Sequence, residues 1–416
     1  MVKRVLRSAL AGRGENQKLR SGGMRLTRRA NHAAEAGLHE AATAAVLGTR
    51  AGEGPRGLPE EVVAFESLGA EVERDWEELA DATRASPFRR PGWIGAWWNA
   101  FGQGKLEIAT VRLEGRLTAV LPLRRRFGAL MSPTNWHTPD FGPVASDGRS
   151  LRRLAQELFA HPPRRFSLAF LDSESETASF LRDAAAERRF LVLERTLERS
   201  PYVEVDRTWA EYERSLSRNV RGDARRRLRR LQELGAITVD VCDGSERLEE
   251  LLTEGFRIEA SGWKGSSGSA INSQQQTDAF YRSVARWAAA RGWLCLAFLR
   301  LDGAPIAFHY CLEFDGMHYF IKGGHSPAYS RFSPGKALTY AMLSRAFSVG
   351  LSTYEFLGAD DPWKLRWTSS SRHRLIFHAF RPAPDGLLEW TVSNYGRRAA
   401  RRAASLRPIA HLRQKR

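Results

Sequence analysis

His318-Tyr319-Phe320-Ile321-Lys322-Gly323-Gly324-His325, running on through Ser326-Pro327-Ala328-Tyr329-Ser330-Arg331-Phe332-Ser333-Pro334-Gly335-Lys336-Ala337, is the stretch that decides the fold. Its first piece is aromatic and β-branched enough for a buried strand, which Gly323-Gly324 ends. Ser333 suits a helix N-cap, and Pro334 suits the first helical position, where its missing N–H is no loss. Leu338, Ala341, Met342, Ala346 and Val349 recur at spacings of three and four, one face of a helix that Gly350 stops. Tyr354-Glu355-Phe356-Leu357 reads as the next strand. The unit is therefore strand, loop, helix, strand, and its loop sets Arg331, Gly335 and Lys336 at a helix N-terminus. Free backbone N–H groups and the positive helix end suit an anion there, a phosphate or diphosphate most naturally. A plain loop-to-helix turn accounts for the same residues.

Just before this strand Asp315-Gly316 turns the chain into it, and Asp302-Gly303 and Glu114-Gly115 signal two further hairpins. Downstream, Asp360, Asp361, Lys364 and Arg366 follow the end of the second strand, where open α/β sheets collect ligands. Asp360, Glu355, His309 and His325 are the candidates to take a proton from an acceptor, and Lys364 the candidate to hold a phosphate or carboxylate. Upstream, Arg218 to Arg230 is the densest basic segment outside the termini, inside a long helix expected from Asp206 or Thr208 to Leu234. It reads either as a solvated face or as a row of guanidiniums matched to phosphate oxygens. Nearer the N-terminus, Trp93, Ile94, Trp97, Trp98 and Phe101 mark an aromatic helix whose rings suit a core. The loop from Asn135 to Gly142 offers His137 and Asp140, either to a substrate or to its own hydrogen bonds.

A chain of 416 residues with 43% hydrophobic residues and twelve tryptophans has material for two domains and an appendage. Its net charge of +17 favours anionic partners: nucleotides, phosphorylated cofactors, anionic lipid or nucleic acid. Cys242, Cys295 and Cys311 are scattered and fit neither a disulfide framework nor a zinc site, so no metal is expected. No apolar run reaches membrane-span length and no apolar leader follows the basic N-terminus, which makes the cytoplasm the expected compartment. The glycine-rich nucleotide loops, the paired-histidine zinc motif, the serine-hydrolase elbow and a CxxC pair are all missing, which weakens oxidoreductase, phosphoryl-transfer and zinc-hydrolase readings. The expected organisation is a disordered basic arm over 1–60 (with Met24 as an alternative start), α/β halves over 61–200 and 201–392, and a basic tail over 393–416. The division falls at Arg199-Ser200-Pro201, and a strand from Leu375 to Phe380 is expected to close the second half.

The chain resembles the CelD/BcsL-type acetyltransferases of the GNAT superfamily, relatives of the Fem-type peptidoglycan aminoacyltransferases. The likeness runs from Phe65 to Phe380 and is carried by W-I-G-A-W-W-N-A-F-G, A-V-L-P-L, N-W-H-T-P-D-F-G, S-R-N-V-R-G-D-A-R-R-R, L-D-G-A-P-I-A, S-R-F-S-P-G-K-A-L and Y-E-F-L-G-A-D-D-P-W-K-L-R-W. It implies two GNAT-like α/β domains in tandem, each a mixed, mostly antiparallel sheet flanked by helices. It further implies transfer of an acyl group from coenzyme A to an amine or hydroxyl, on a glycan, another envelope-related acceptor or a small molecule, cellulose biosynthesis being one setting. Arg331, Ser333, Gly335, Lys336 and Ala337 would then cradle the coenzyme A pyrophosphate, with Asp360, Lys364 and His309 as the catalytic candidates. The family's phosphate loop places Gly three residues after Arg or Gln; here Arg331 and Gly335 are one residue further apart. The competing expectations are a Fem-like enzyme whose Arg218–Arg230 helix grips transfer RNA, and a non-catalytic scaffold that coats a polyanion or an anionic membrane surface.

Overall fold

The computed structural model describes residues 61–160, 163–262, 268 and 270–396. The expected arm over 1–60 and nearly all of the basic tail lie outside the described residues. The first half opens with β1 (Glu61–Glu66), α1 (Ala70–Ala82) and α2 (Pro91–Phe101). Next come the hairpin β2 (Lys105–Leu113) and β3 (Arg116–Arg126), the short β4 (Ala129–Met131) and β5 (Val144–Ala145), α3 (Gly148–Ala160), β6 (Arg165–Asp172) and α4 (Glu176–Glu187). A long strand, β7 (Leu191–Glu204), leads into α5 (Trp209–Ser215), α6 (Arg218–Gln232), β8 (Ile237–Cys242), α7 (Leu248–Ala260) and α8 (Gln275–Ala290). The meander β9 (Leu294–Leu301), β10 (Ala304–Phe314) and β11 (Met317–His325) then gives way to α9 (Pro334–Ser348), β12 (Thr353–Glu355), β13 (Ser371–Phe380) and α10 (Pro384–Thr391).

All three acidic-Gly dipeptides do turn hairpins. Glu114, Asp302 and Asp315 have φ near +50°, and the glycine after each has φ near +80°, the pair of positive values that a tight primed turn requires. Where one long helix was expected between Thr208 and Leu234, there are two. Leu216 is extended (φ −65°, ψ 149°) and ends α5, and the Ser217 hydroxyl starts α6 by accepting the Val220 N–H. Thr208 and Glu211 form a reciprocal capping box at the start of α5.

The strands join into one mixed, mostly antiparallel sheet in the order β1-β2-β3-β4-β6-β13-β7-β12-β11-β10-β9-β8. Helices cover both faces. On β9, Leu294, Leu296 and Phe298 enter a core shared with α2, α7 and α8, while Cys295, Ala297 and Leu299 enter a second core against α6 and α9. One expectation is corrected by the pairing. The strand foreseen to close the second half, β13, instead lies between β6 and β7, antiparallel to both, in the sheet of the first half. Residue 200 falls inside β7, whose N-terminal part pairs with β13 and whose last three residues pair with β12. The two halves thus exchange a strand across their junction.

Candidate functional site

The site exists because β12 stops early. Its three residues pair with Met317–Tyr319 on one side and Tyr202–Glu204 on the other. Beyond Glu355 no strand among the described residues fills the place between β7 and β11, which leaves a gap of roughly 10 Å, two strand spacings. Leu357 and Gly358 force the exit, with φ +53° and +61°. The buried Lys364 ammonium holds that turn, donating to the Leu357 carbonyl at 2.8 Å and the Ala359 carbonyl at 2.7 Å, with Asp361 at 3.0 Å. On the other edge, β11 carries an extra residue, Ile321, between the pairs Tyr310–Lys322 and Cys311–Phe320. Such a bulge bends its strand and opens the gap further.

A cavity of about 760 Å³ occupies this gap. One wall is Phe320 to His325 of β11; the opposite wall is the 356–364 turn; Ser333, Gly335, Lys336 and Thr339 of α9 close one end. Tyr281 and His309 of the second half and Trp136, His137, Pro139, Phe170 and Glu198 of the first complete the lining. Phe170, like Leu357, is an apolar residue in the left-handed region (φ +63°), a conformation that persists only where its surroundings impose it and that clusters at functional sites.

Of the eight residues that the family resemblance assigns to cofactor binding and catalysis, Ser333, Gly335, Lys336, His309 and Lys364 line the cavity, as does the further proton-acceptor candidate His325. The other three lie apart. Asp360 sits 3.7 Å from Arg199, outside the lining. Arg331 lies over the Phe332 ring, and Ala337 is packed in the core. Ser333 occupies the N-cap position, but as a left-handed residue (φ +50°) whose hydroxyl does not cap; it accepts instead from Arg227 Nη1 at 2.5 Å. Its carbonyl takes the Lys336 and Ala337 N–H groups, and Pro334 has none, so Gly335 contributes the remaining first-turn N–H. Burial, then the charges of Arg366 and Arg227, hold the Lys336 ammonium below the usual lysine range. That end of the cavity is strongly positive.

Two further titratable side chains line the cavity. Glu198, on β7 opposite Arg374, lines the cavity with its Oε1 buried and with no hydrogen-bond partner among the described residues. Burial raises its pKa against the pull of Lys364 and Arg374, so this carboxylate is more basic than an ordinary glutamate. Nothing in the sequence marked it, because its position depends on β13 arriving from the far end of the chain. His137 stacks on Phe101, meets the Tyr281 hydroxyl at 3.1 Å through Nδ1, and is pushed down to about 4 by burial and Lys322, so it stands neutral at pH 7. Its neighbour Asp140 faces away. It accepts from Ser86 Oγ at 2.9 Å and Arg89 Nε at 2.8 Å and pairs with Arg374 at 3.0 Å, which makes it the anchor of the 135–142 loop. Glu355 is likewise committed, bonded to Arg372 Nε at 2.7 Å.

On α6 the expected phosphate-binding face is only partly available. Arg225 is locked to buried Glu213 at 2.8 Å, with Tyr340 donating to the same carboxylate at 2.5 Å. Arg226 and Arg227 bracket Asp223, and Arg229 is exposed. The ligand atoms of Cys295, Glu313 and His318 lie within 4.8 Å of one another, the one such grouping among the described residues. Glu313 there is already held by His318 Nδ1 at 2.9 Å and by Arg345, and burial keeps the Cys295 thiol protonated, so the cluster reads as a buried ion-pair network.

Residues 218–365, the span from α6 through the 356–364 turn, match the family described as an acetyltransferase (GNAT) domain. Among solved structures, FemX is similar at 12% identity and a TM-score of 0.51, over 76% of this chain and 96% of that one. A tandem GNAT protein from the clavulanic acid biosynthesis pathway aligns over 78% of this chain and 99% of its own, at 12% identity and a TM-score of 0.43. A conserved protein of unknown function from Bacteroides thetaiotaomicron aligns over 77% and 100%, at 13% identity and 0.46. No curated protein sequence matches. The fold is GNAT-like, and the cavity lies within the matched span and the first-half residues that face it.

Proposed function

We propose that the protein is an acyl-coenzyme A-dependent acyltransferase whose cavity between β7 and β11 holds the thioester arm of the donor. The observation that carries this reading is the early end of β12, which opens a slot between β7 and β11 with a positive end at Ser333, Gly335 and Lys336. A diphosphate would meet the Gly335 N–H and the Lys336 ammonium there, the chemistry of a helix N-terminus backed by cations. The apolar walls, Phe320, Phe356 and Leu357 among them, suit an uncharged arm and exclude water from the thioester.

Acyl-coenzyme A supplies an activated carbonyl. Glu198 takes the proton from the acceptor amine or hydroxyl, the freed lone pair forms the new bond to the carbonyl carbon, and the carbon–sulfur bond breaks. The proton on Glu198 then passes to the departing thiolate, which restores the carboxylate. Trp136 supports a ring-bearing acceptor: it is 74% exposed at the cavity wall and offers an apolar face on the side of the first half. A glycan or aminosugar acceptor suits that face, and a small amine is the alternative.

Thiol release from acetyl-coenzyme A, followed with an amine, an aminosugar and a glycan as acceptors, tests the reading. Acceptor-dependent thiol release supports it; retention of acetyl-coenzyme A unchanged with every acceptor opposes it. A second reading, aminoacyl transfer from transfer RNA, is favoured by the exposed Arg226, Arg229 and Arg230 on α6. RNA that survives salt washing and is lost on replacing those arginines would bring it forward.

A further inference from the structure

Beside the main cavity lies a second hollow of about 510 Å³, where α6 meets the chain after the 356–364 turn. Four guanidiniums line it, those of Arg218, Arg226, Arg227 and Arg366, around the single carboxylate of Asp223. Asp223 is already shared: Arg226 reaches it at 2.8 Å, Arg227 at 2.9 Å and Arg366 at 3.4 Å. Four cations against one anion leave three positive charges in one concave place.

Two more observations tie the hollow to a ligand. Arg227 also donates to the Ser333 hydroxyl at 2.5 Å, so the hollow and the positive end of the main cavity meet across that bond. Gly222 lies in the lining, between Arg218 and Arg226 on one stripe of α6. A glycine inside a helix is unfavourable relative to alanine. No packing among the described residues demands it here, since a Cβ at Gly222 would meet none of their atoms within 4 Å. The missing side chain keeps the floor of the hollow open.

We propose that this hollow seats a terminal phosphate monoester, the 3′-phosphate at the far end of the acyl-coenzyme A whose acyl arm enters the main cavity. The proposal rests on the acyltransferase reading. A phosphate monoester carries close to two negative charges near neutral pH and presents three acceptor oxygens, which matches several guanidiniums better than the single charge of Asp223 does. A polynucleotide backbone is the weaker fit, because its phosphates carry one charge each and the cations are gathered in a hollow rather than spread along a groove.

Calorimetry on the full chain with acetyl-coenzyme A and with acetyl-3′-dephospho-coenzyme A tests this. The wild type is expected to bind the first more tightly by roughly 10–100-fold, the range of one or two charge-assisted hydrogen bonds. Arg226→Gln with Arg366→Gln should remove that preference and leave the affinity for the dephospho form within about twofold, a margin under 0.5 kcal/mol. Gly222→Leu should do the same by filling the hollow, while raising the melting temperature as a better helix former. Equal wild-type affinity for the two ligands would overturn the proposal and leave the acyltransferase reading standing. So would an unaltered preference in the variants, or loss of retained RNA in them with no change in coenzyme discrimination. If the wild type binds neither coenzyme, the acyltransferase reading falls and this proposal falls with it.

Discussion

Replacing Asp140 by Asn tests how the two halves are held around the cavity. The carboxylate is 8% exposed and accepts from Ser86, twice from Arg89 and from Arg374, so it joins the α1–α2 connection, the 135–142 loop and β13. Asn keeps the shape but removes the charge, and its amide would face guanidinium donors. Removing one partner of a buried pair typically costs about 3–5 kcal/mol, because the other charge stays buried. Arg374 keeps Asp172 at 3.1 Å, whereas Arg89 has no other carboxylate in hydrogen-bond reach among the described residues, which places the expected loss near the lower end, about 3 kcal/mol. Urea unfolding at pH 7, followed by tryptophan fluorescence, measures it. The pH dependence gives a second handle. Arg89 and Arg374 hold the folded-state carboxyl well below the usual range, against the opposing effect of burial. A depressed folded pKa contributes stability that is full above the unfolded value of about 4 and is lost as pH falls through the folded one. The difference between wild type and Asp140→Asn should therefore be largest near neutrality and shrink on acidification below about pH 4. A difference under about 1 kcal/mol at pH 7, or one that does not change with pH, would refute the anchoring role.

Other consequences can be measured separately. Glu198→Gln should lower acceptor-dependent thiol release by roughly 100-fold or more while acetyl-coenzyme A still binds, since general bases contribute about 10²–10⁴. Because burial raises the Glu198 pKa and only the carboxylate accepts a proton, the wild-type rate should climb with pH through a midpoint above the ordinary glutamate value; an unchanged limb in Glu198→Gln would remove Glu198 from the reaction. A division at residue 200 would cut β7 and separate it from β13, and expressing 61–200 alone tests it. Without β13 between β6 and β7 this fragment should not unfold cooperatively, and fusing 371–392 to it should restore a cooperative transition. Cooperative unfolding of the bare fragment would show that the strand exchange is dispensable.

The local chemistry of the second half was legible because neighbouring residues determine it. Pro334 takes the first position of α9, although the Ser333 hydroxyl does not cap it, Asp302-Gly303 and Asp315-Gly316 turn their hairpins, and the expected strand, loop, helix and strand unit is present as β11, α9 and β12. Ser333, Gly335 and Lys336 reach the cavity because they sit on that unit. What escaped depends on long-range pairing. Lys364 looked like a ligand-binding lysine from its place after a strand, yet it is spent on two carbonyls of its own turn. Asp140 looked available but faces two arginines, one of them brought by β13 from more than two hundred residues away. Glu198 carried no motif, and its exposure to the cavity follows from the end of β12 and the entry of β13 beside β7. Alternation and turn residues cannot report which distant strand fills a gap.

We expect the slot left by β12 to bind an acyl-coenzyme A against the start of α9. Titrating acetyl-coenzyme A into the wild type and into Gly335→Val tests it directly. A Cβ at residue 335 would lie 3.5 Å from His325 Nδ1, an ordinary contact, so the fold should tolerate valine at a cost of about 1 kcal/mol or less while its methyl groups occupy the slot. We expect saturable binding to the wild type and a loss of at least about 100-fold in Gly335→Val with an unchanged circular dichroism spectrum, near 2.7 kcal/mol of binding free energy. Equal affinity in the two folded proteins would place the donor elsewhere, and absence of binding to the wild type would contradict the claim outright.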